Sequence, residues 1–140
     1  MTKNYKILGK YIKDMSSETP NIETYIFVRD YISKYQLNID INSKPLKNKM
    51  IEVNTILKFE DKQENKNKSY FEINYSTIVK INDEIKEKKD LEKIILCDVQ
   101  IEIYPELEKS LLNLLHDSGY PNVKFEKKVD FEQLYNQRLN

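Results

Sequence analysis

Cysteine, glycine and histidine are nearly absent from this chain of 140 residues. Cys97 is the single cysteine, and the chain has two glycines and one histidine. A lone cysteine excludes an internal disulfide and a cysteine zinc cluster, which fits a reducing compartment. Two glycines cannot build a glycine-rich phosphate loop, and one histidine with one cysteine cannot build a metal site. We therefore expect no cofactor, no metal and no catalytic role for Cys97 or His116.

Long apolar runs and an excess of charge are missing as well. No run approaches about twenty apolar residues, and the start of the chain lacks the apolar stretch of a signal peptide, so we expect a cytoplasmic protein. The 23 basic and 23 acidic residues cancel to a formal net charge of zero. This balance argues against nucleic acid or an anionic membrane as partners. The length predicts a single domain over residues 1–140.

Three segments alternate apolar and polar residues with the period of two that half-buried β-strands show. They cover residues 36–41, 51–59 and 70–81. In the third segment Tyr70 and Glu72 belong to the polar phase, so both should be exposed if the apolar phase is buried. The polar residues 60–69 predict a long, exposed hairpin loop.

A further strand is predicted near the start of the chain, over Tyr5–Met15, where Gly9 indicates a bulge or a close backbone contact. Four strands joined by connections of hairpin length predict an antiparallel sheet, because parallel strands need long crossovers. One face of such a sheet is expected to be in water.

The C-terminal third changes to a helical period. Its apolar stripe consists of Leu107, Leu111, Leu114 and Leu115. Pro105 suits the first turn of this helix, and Gly119 suits its end. A shorter helix follows, for which Asp130 and Gln133 form a capping pair. Together these elements predict an α+β fold: a four-stranded antiparallel sheet with two C-terminal helices.

Ordered motifs lie at both ends of the chain. Residues 11–21 read Tyr-Ile-Lys-Asp-Met-Ser-Ser-Glu-Thr-Pro-Asn, and the other motifs occupy residues 104–107, 118–121 and 129–135. In this order they resemble the first strand, the main helix, its Gly-aromatic-Pro exit and the terminal helix of the SecB family of protein-export chaperones. Val99, Ile101 and Ile103 alternate like a strand, but the resemblance begins the main helix about there, and we follow the resemblance.

The resemblance implies a SecB-like fold assembled as a homotetramer, a dimer of dimers, without a cofactor or catalysis. It implies that unfolded precursor proteins are bound and passed to the SecA ATPase of the Sec translocon, without insertion into the membrane. The family's client groove runs between the connection after the first strand and the terminal helix. The positions matching it are Tyr25, Phe27, Tyr31, Phe131, Leu134 and Tyr135, of which Phe131 and Leu134 fit core packing equally well. The positions matching the family's SecA contact, on the outer face of the sheet, are Asp14, Glu18, Tyr70 and Glu72.

Some features differ from the family pattern. Family members are usually acidic, whereas this chain is neutral, and Asn74-Tyr75-Ser76-Thr77 replaces a segment that usually contains glycine. Residues 82–93 are dense in Lys and Glu. Three alternatives stay open: a SecB-like chaperone of a toxin–antitoxin system, a non-chaperone interaction module on the same fold, and an enzyme that uses only carboxylates.

Overall fold

A four-stranded antiparallel sheet is the framework of the protein. The structure, a computed structural model, describes residues 4–138. The strands are β1 (Tyr5–Glu18), β2 (Gln36–Pro45), β3 (Met50–Glu60) and β4 (Tyr70–Ile81). They lie side by side in the order β1-β4-β3-β2, and every neighbouring pair is antiparallel. The four strands and the antiparallel sheet predicted from the sequence are confirmed.

Helices follow and interrupt the strands. They are α1 (Ile22–Tyr31), α2 (Lys88–Lys93), α3 (Val99–Asp117) and α4 (Phe131–Arg138). A short 3-10 turn (Ile32–Lys34) follows α1, and a π turn (Ile94–Asp98) joins α2 to α3. The two C-terminal helices are as predicted, whereas α1, α2 and the π turn are additions that the sequence pattern did not reveal.

The core lies between the apolar face of the sheet and α3. Val53, Leu57, Ile73 and Val79 of the sheet are fully buried, as are Leu107, Leu111 and Leu115 of the helix. The predicted apolar phases of β3 and β4 and the predicted leucine stripe therefore meet in one hydrophobic cluster. Burial of such side chains is the main favourable term in folding, worth roughly 25 cal/mol per Å² of apolar area.

The start of α3 corrects one prediction. The helix begins at Val99, as the resemblance implied, so Pro105 lies inside it and not in its first turn. Val99 and Ile103 are buried and Ile101 is exposed, because residues four apart share a helix face, and a short run cannot separate this pattern from strand alternation. A proline cannot donate to the carbonyl four residues earlier. Both Pro105 and Ile101 are exposed, so water can serve that carbonyl.

Strand β1 contains the predicted bulge. Its pairing with β4 shifts register between Ile7 and Gly9, and again between Ile12 and Asp14. A Cβ placed on Gly9 would meet nothing within 4 Å. The glycine therefore marks a bulge, and the alternative of a close backbone contact is wrong.

Gly119 ends α3, as predicted, in a conformation that favours glycine. Its φ is +106°, and a Cβ there would lie 2.6 Å from Cε1 of Tyr25. The Tyr25 hydroxyl donates to the Gly119 carbonyl over 3.0 Å. Because the ring of Tyr25 lies against the bare Cα, α1 and the end of α3 are held in direct contact.

We expect Gly119→Ala to lower the free energy of unfolding by about 2 kcal/mol or more, because it adds left-handed strain to a clash with Tyr25. Gly9→Ala is the matched control and should be neutral or slightly stabilising, since its methyl group meets open space. Urea denaturation at one fixed protein concentration measures both. Equal losses at the two glycines would contradict this account of the α3 end.

Candidate functional site

Helix α4 is attached to the rest of the protein through its aromatic residues. Phe131 is buried and meets the ring of Tyr104 edge-on, with centroids 5.2 Å apart. The Tyr135 hydroxyl donates to the Lys89 carbonyl over 3.3 Å. The predicted cap is present, because the Gln133 amide donates to the Asp130 carboxylate over 3.0 Å. Helix α4 is therefore fixed to both α2 and α3.

An apolar cavity of about 290 Å³ lies between α4 and strand β2, and we call it the α4 cavity. It is lined by Ile39, Asp40, Ile41, Leu96, Phe131, Leu134, Tyr135 and Gln137. Leu134 is 44% exposed, whereas Phe131 and Tyr135 are buried in the core. The three predicted groove residues of α4 are thus brought together. Apolar walls with few polar groups suit the burial of apolar side chains.

The three predicted groove residues of α1 lie elsewhere. Tyr25 packs against Tyr120, with ring centroids 5.5 Å apart, and Phe27 stacks on Tyr31 at 5.3 Å. Tyr25 lines a second cavity, of about 190 Å³, together with Arg29, Ile32 and residues 119–123. The six predicted positions are therefore divided, with the α4 residues lining one cavity and Tyr25 lining another.

A buried polar cluster lies close to the second cavity. The Ser69 and Tyr120 hydroxyls are 3.0 Å apart, and the Thr19 hydroxyl is 2.7 Å from that of Ser69. The Ser69 amide donates to the Tyr35 hydroxyl over 3.0 Å. Burial raises the pKa of Tyr35 above its ordinary value, although this hydrogen bond acts in the opposite direction. The phenol therefore stays neutral at physiological pH.

The predicted outer-face residues lie on two neighbouring strands. Glu18 is opposite Tyr70 in the β1–β4 pair, and Asp14 is opposite Asn74. Because opposite residues project to the same side of a sheet, Asp14, Glu18 and Tyr70 share a face with Glu72. Glu18, Tyr70 and Glu72 also line a shallow cavity of about 510 Å³.

The exposure of the outer face agrees with the alternation for Tyr70, which is 56% exposed. Glu72 is only partly exposed, because Lys58 of β3 lies directly opposite it and its ammonium is 3.5 Å from the carboxylate. Further along the same face, a hydrogen bond from Lys13 lowers the pKa of Glu52. Each of these two carboxylates already has a lysine partner within the chain.

Cys97 and His116 lie in different environments. Cys97 is a free, buried thiol in the π turn, and burial raises its pKa. His116 is exposed, and its Nε2 donates to the Val123 carbonyl over 3.1 Å. Within residues 4–138, no three His, Cys, Asp or Glu side chains lie close enough together to hold a metal ion.

Sequence reasoning missed five of the eight residues that line the α4 cavity: Ile39, Asp40, Ile41, Leu96 and Gln137. The alternation over residues 36–41 predicts that Ile39 and Ile41 form one phase of a strand, but alternation alone does not show that this phase borders a cavity. Leu96 lies in the π turn, next to a Lys- and Glu-rich stretch that gave no helical signal. A pattern of four apolar residues, Ile94 to Cys97, was the available signal for a buried segment.

Comparison with known proteins gives concordant results. The family model described as preprotein translocase subunit SecB matches residues 1–140. A Pelagibacter ubique protein, provisionally named protein-export protein SecB, is 65% identical over the whole of both chains. The protein-export protein SecB of Parvibaculum lavamentivorans is 27% identical over 135 residues, which are 95% of this chain and 77% of that one.

A solved structure shares the fold. It is a SecB-like chaperone of Mycobacterium tuberculosis in complex with a ChAD peptide from an antitoxin, with a TM-score of 0.62 and 10% identity. The match covers 89% of this chain and 91% of that chain. None of the helices described here is long and apolar enough to cross a membrane.

Proposed function

We propose a function from one premise: this chain belongs to the SecB family, whose sequence model matches it over residues 1–140. It is thus a protein-export chaperone of the SecB type. We infer that a single domain over residues 1–140 binds unfolded preproteins in the cytoplasm, keeps them competent for translocation and delivers them to the SecA motor. No catalytic step and no cofactor are part of this proposal.

The α4 cavity is the main support for the proposed binding of clients. Its walls are largely apolar, and burial of apolar area is nondirectional, so many sequences can be accepted. Strand β2, which supplies Ile39 and Ile41, is an edge strand of the sheet. An unfolded segment could add to that strand through main-chain hydrogen bonds while its side chains enter the cavity. Neither contact requires one particular client sequence.

Tyr25, Phe27 and Tyr31 would extend this binding surface. All three are partly buried and pack against the core, so each still presents some apolar area. A client long enough to reach from the α4 cavity to α1 would bury more area than either region alone. We therefore propose that these residues form a second contact region for the client.

Leu134→Glu tests the α4 cavity. We expect client affinity to fall roughly tenfold, the equivalent of about 1.4 kcal/mol, because a charge replaces apolar contact area. The fold should persist, since Leu134 is 44% exposed. The readouts are suppression of light scattering by a slowly folding client and titration with that client.

Leu46→Glu is the matched control for this test. Leu46 is 37% exposed and lies in the β2–β3 turn, outside the cavity lining. Its client affinity should equal that of the wild type. A Leu134→Glu protein that binds the client as well as this control would contradict client binding at the α4 cavity.

We propose that SecA contacts the outer face of the sheet. Asp14, Glu18, Tyr70 and Glu72 combine three carboxylates with one exposed aromatic ring on two adjacent strands. Carboxylates in this arrangement favour a basic partner surface. Lys58 already faces Glu72, so a basic partner group would compete with it for that carboxylate.

Glu72→Lys should abolish retention of the chain by immobilised SecA, because two lysines would then face each other across β3 and β4 and repel a basic partner. Glu126→Lys, the same charge change at an exposed residue between α3 and α4, should leave retention intact. Loss in both variants would indicate a general charge effect, and retention in both would exclude the outer face as the contact.

Assembly as a dimer of dimers is proposed from the family and from an exposed apolar surface. Strand β1 is the other edge strand of the sheet. Its exposed apolar residues are Leu8, Tyr11, Ile12 and Met15, and Ile101 of α3 is exposed as well. An exposed, apolar edge strand is prone to pair with another chain unless it is protected.

Ile12→Glu should dissociate the tetramer into smaller species while the circular dichroism of the chain stays unchanged. Native mass spectrometry over a range of concentrations measures the state. Ile22→Glu, at a residue of α1 that is 67% exposed, should leave the assembly intact. A wild-type chain that stays monomeric at all concentrations would contradict the proposed assembly.

A chaperone dedicated to an antitoxin is the alternative with a structural relative. That relative shares 10% identity with this chain, so the likeness extends to the fold alone. The relative that is 65% identical carries a protein-export name, which favours export. Retention by SecA would decide between the two, since a dedicated antitoxin chaperone or another interaction module need not bind the motor.

A further inference from the structure

The π turn between α2 and α3 disturbs the helix hydrogen bonds. The Val99 amide donates to the carbonyl of Ile94, five residues earlier. In a regular α-helix this amide would donate to Ile95, four residues earlier. The Ile95 carbonyl therefore lacks its ordinary backbone donor inside a buried segment, where Ile94, Ile95 and Cys97 are all buried. Such a carbonyl needs another donor, because an unpaired buried polar group is costly.

Gln100 supplies that donor. Its Nε2 donates to the Ile95 carbonyl over 3.1 Å, and its Oε1 accepts from the Thr55 hydroxyl over 2.8 Å. Gln100 and Thr55 are both fully buried. The side chain thus links the π turn to β3 through two directional bonds inside an otherwise apolar core. We call this linkage the Thr55–Gln100 bridge.

The ends of the bridge lie beside two walls of the α4 cavity. Leu96 follows Ile95 in the chain and lines the cavity on the helix side. Ile41 is opposite Thr55 in the β2–β3 pair and lines the cavity on the sheet side. The distance between these walls is therefore coupled to the length of the bridge.

We propose that Gln100 is a positioning residue, which keeps residues 94–98 in the π turn and thereby sets the placement of Leu96 in the α4 cavity. Apolar burial is nondirectional, whereas a hydrogen bond to one carbonyl is directional and adds a specific preference for one helix register. A change of register by one residue rotates a helix by about 100°. Without the bridge, the segment can return to the regular α-helix, and Leu96 then turns away from the cavity. The inference rests on the proposed function in that the cavity receives the client.

Thr55→Val is the first variant that tests this inference, because valine has nearly the shape of threonine and lacks its hydroxyl. Thr77→Val is its matched control. Thr77 is also fully buried in the sheet, but its hydroxyl has no hydrogen-bond partner among the described residues. Gln100→Met, which keeps an unbranched side chain, is a second variant that breaks both bonds of the bridge.

Two readouts separate positioning from client binding. The methyl resonances of Leu96, in protein labelled at leucine methyl groups, report the cavity wall without a client. Titration with reduced, carboxymethylated α-lactalbumin, which stays unfolded, reports binding. We expect Thr55→Val and Gln100→Met to shift the Leu96 resonances and to weaken binding roughly three- to tenfold. Thr77→Val should change neither.

Unchanged Leu96 resonances in both bridge variants would overturn the inference, as would shifts of equal size in Thr77→Val. Shifted resonances with wild-type affinity would overturn the link between this position and client binding, because the bridge would then position a residue that the client does not use. If the wild type fails to bind the probe while the bridge variants still shift Leu96, the proposed function fails and the positioning role of Gln100 stands.

Discussion

Ser69 and Tyr120 share a hydrogen bond of 3.0 Å in the interior, and segments from the whole length of the chain meet around it. Thr19 joins from the end of β1, and Tyr35 from the residue before β2. The ring of Tyr120 also meets Phe71 edge-on, with centroids 5.6 Å apart. A hydrogen bond in such a setting is stronger than in water, and any partner left unpaired there would be costly. The positions of α1, the sheet and the C-terminal segment are therefore mutually dependent.

Much of the sheet was predictable because period two is unambiguous over long runs with one buried face. Helix α1 was not, since only Thr24 and Val28 of it are buried and its apolar residues form no clear stripe. Its local signal was the cap, in which the Asn21 side chain accepts from the Thr24 amide over 2.9 Å. Pro105 misled the prediction of the α3 start, because a proline tolerated at an exposed interior position looks like one in a first turn.

The candidate sites differ in how far sequence could define them. The outer-face positions follow from alternation and the resemblance together, and strand pairing brings Asp14 and Glu72 to the same side. The groove required tertiary information. Nothing in the linear order shows that Leu96 and Ile41 face the same cavity, or that Tyr25 packs on Gly119 and away from Phe131. Spatial convergence of distant residues is set by the fold, which periodicity does not encode.

The single thiol of the chain gives the π turn a further property. Cys97 is fully buried between Leu96 and Asp98, and there is no second cysteine in the sequence. A thiol reagent can reach it only when this segment opens, so the rate of alkylation measures the local opening equilibrium of one defined turn. Cys97 is thus a natural probe of local opening beside the α4 cavity. A client that closes over that cavity would lower the alkylation rate of Cys97, and no label has to be introduced to observe this.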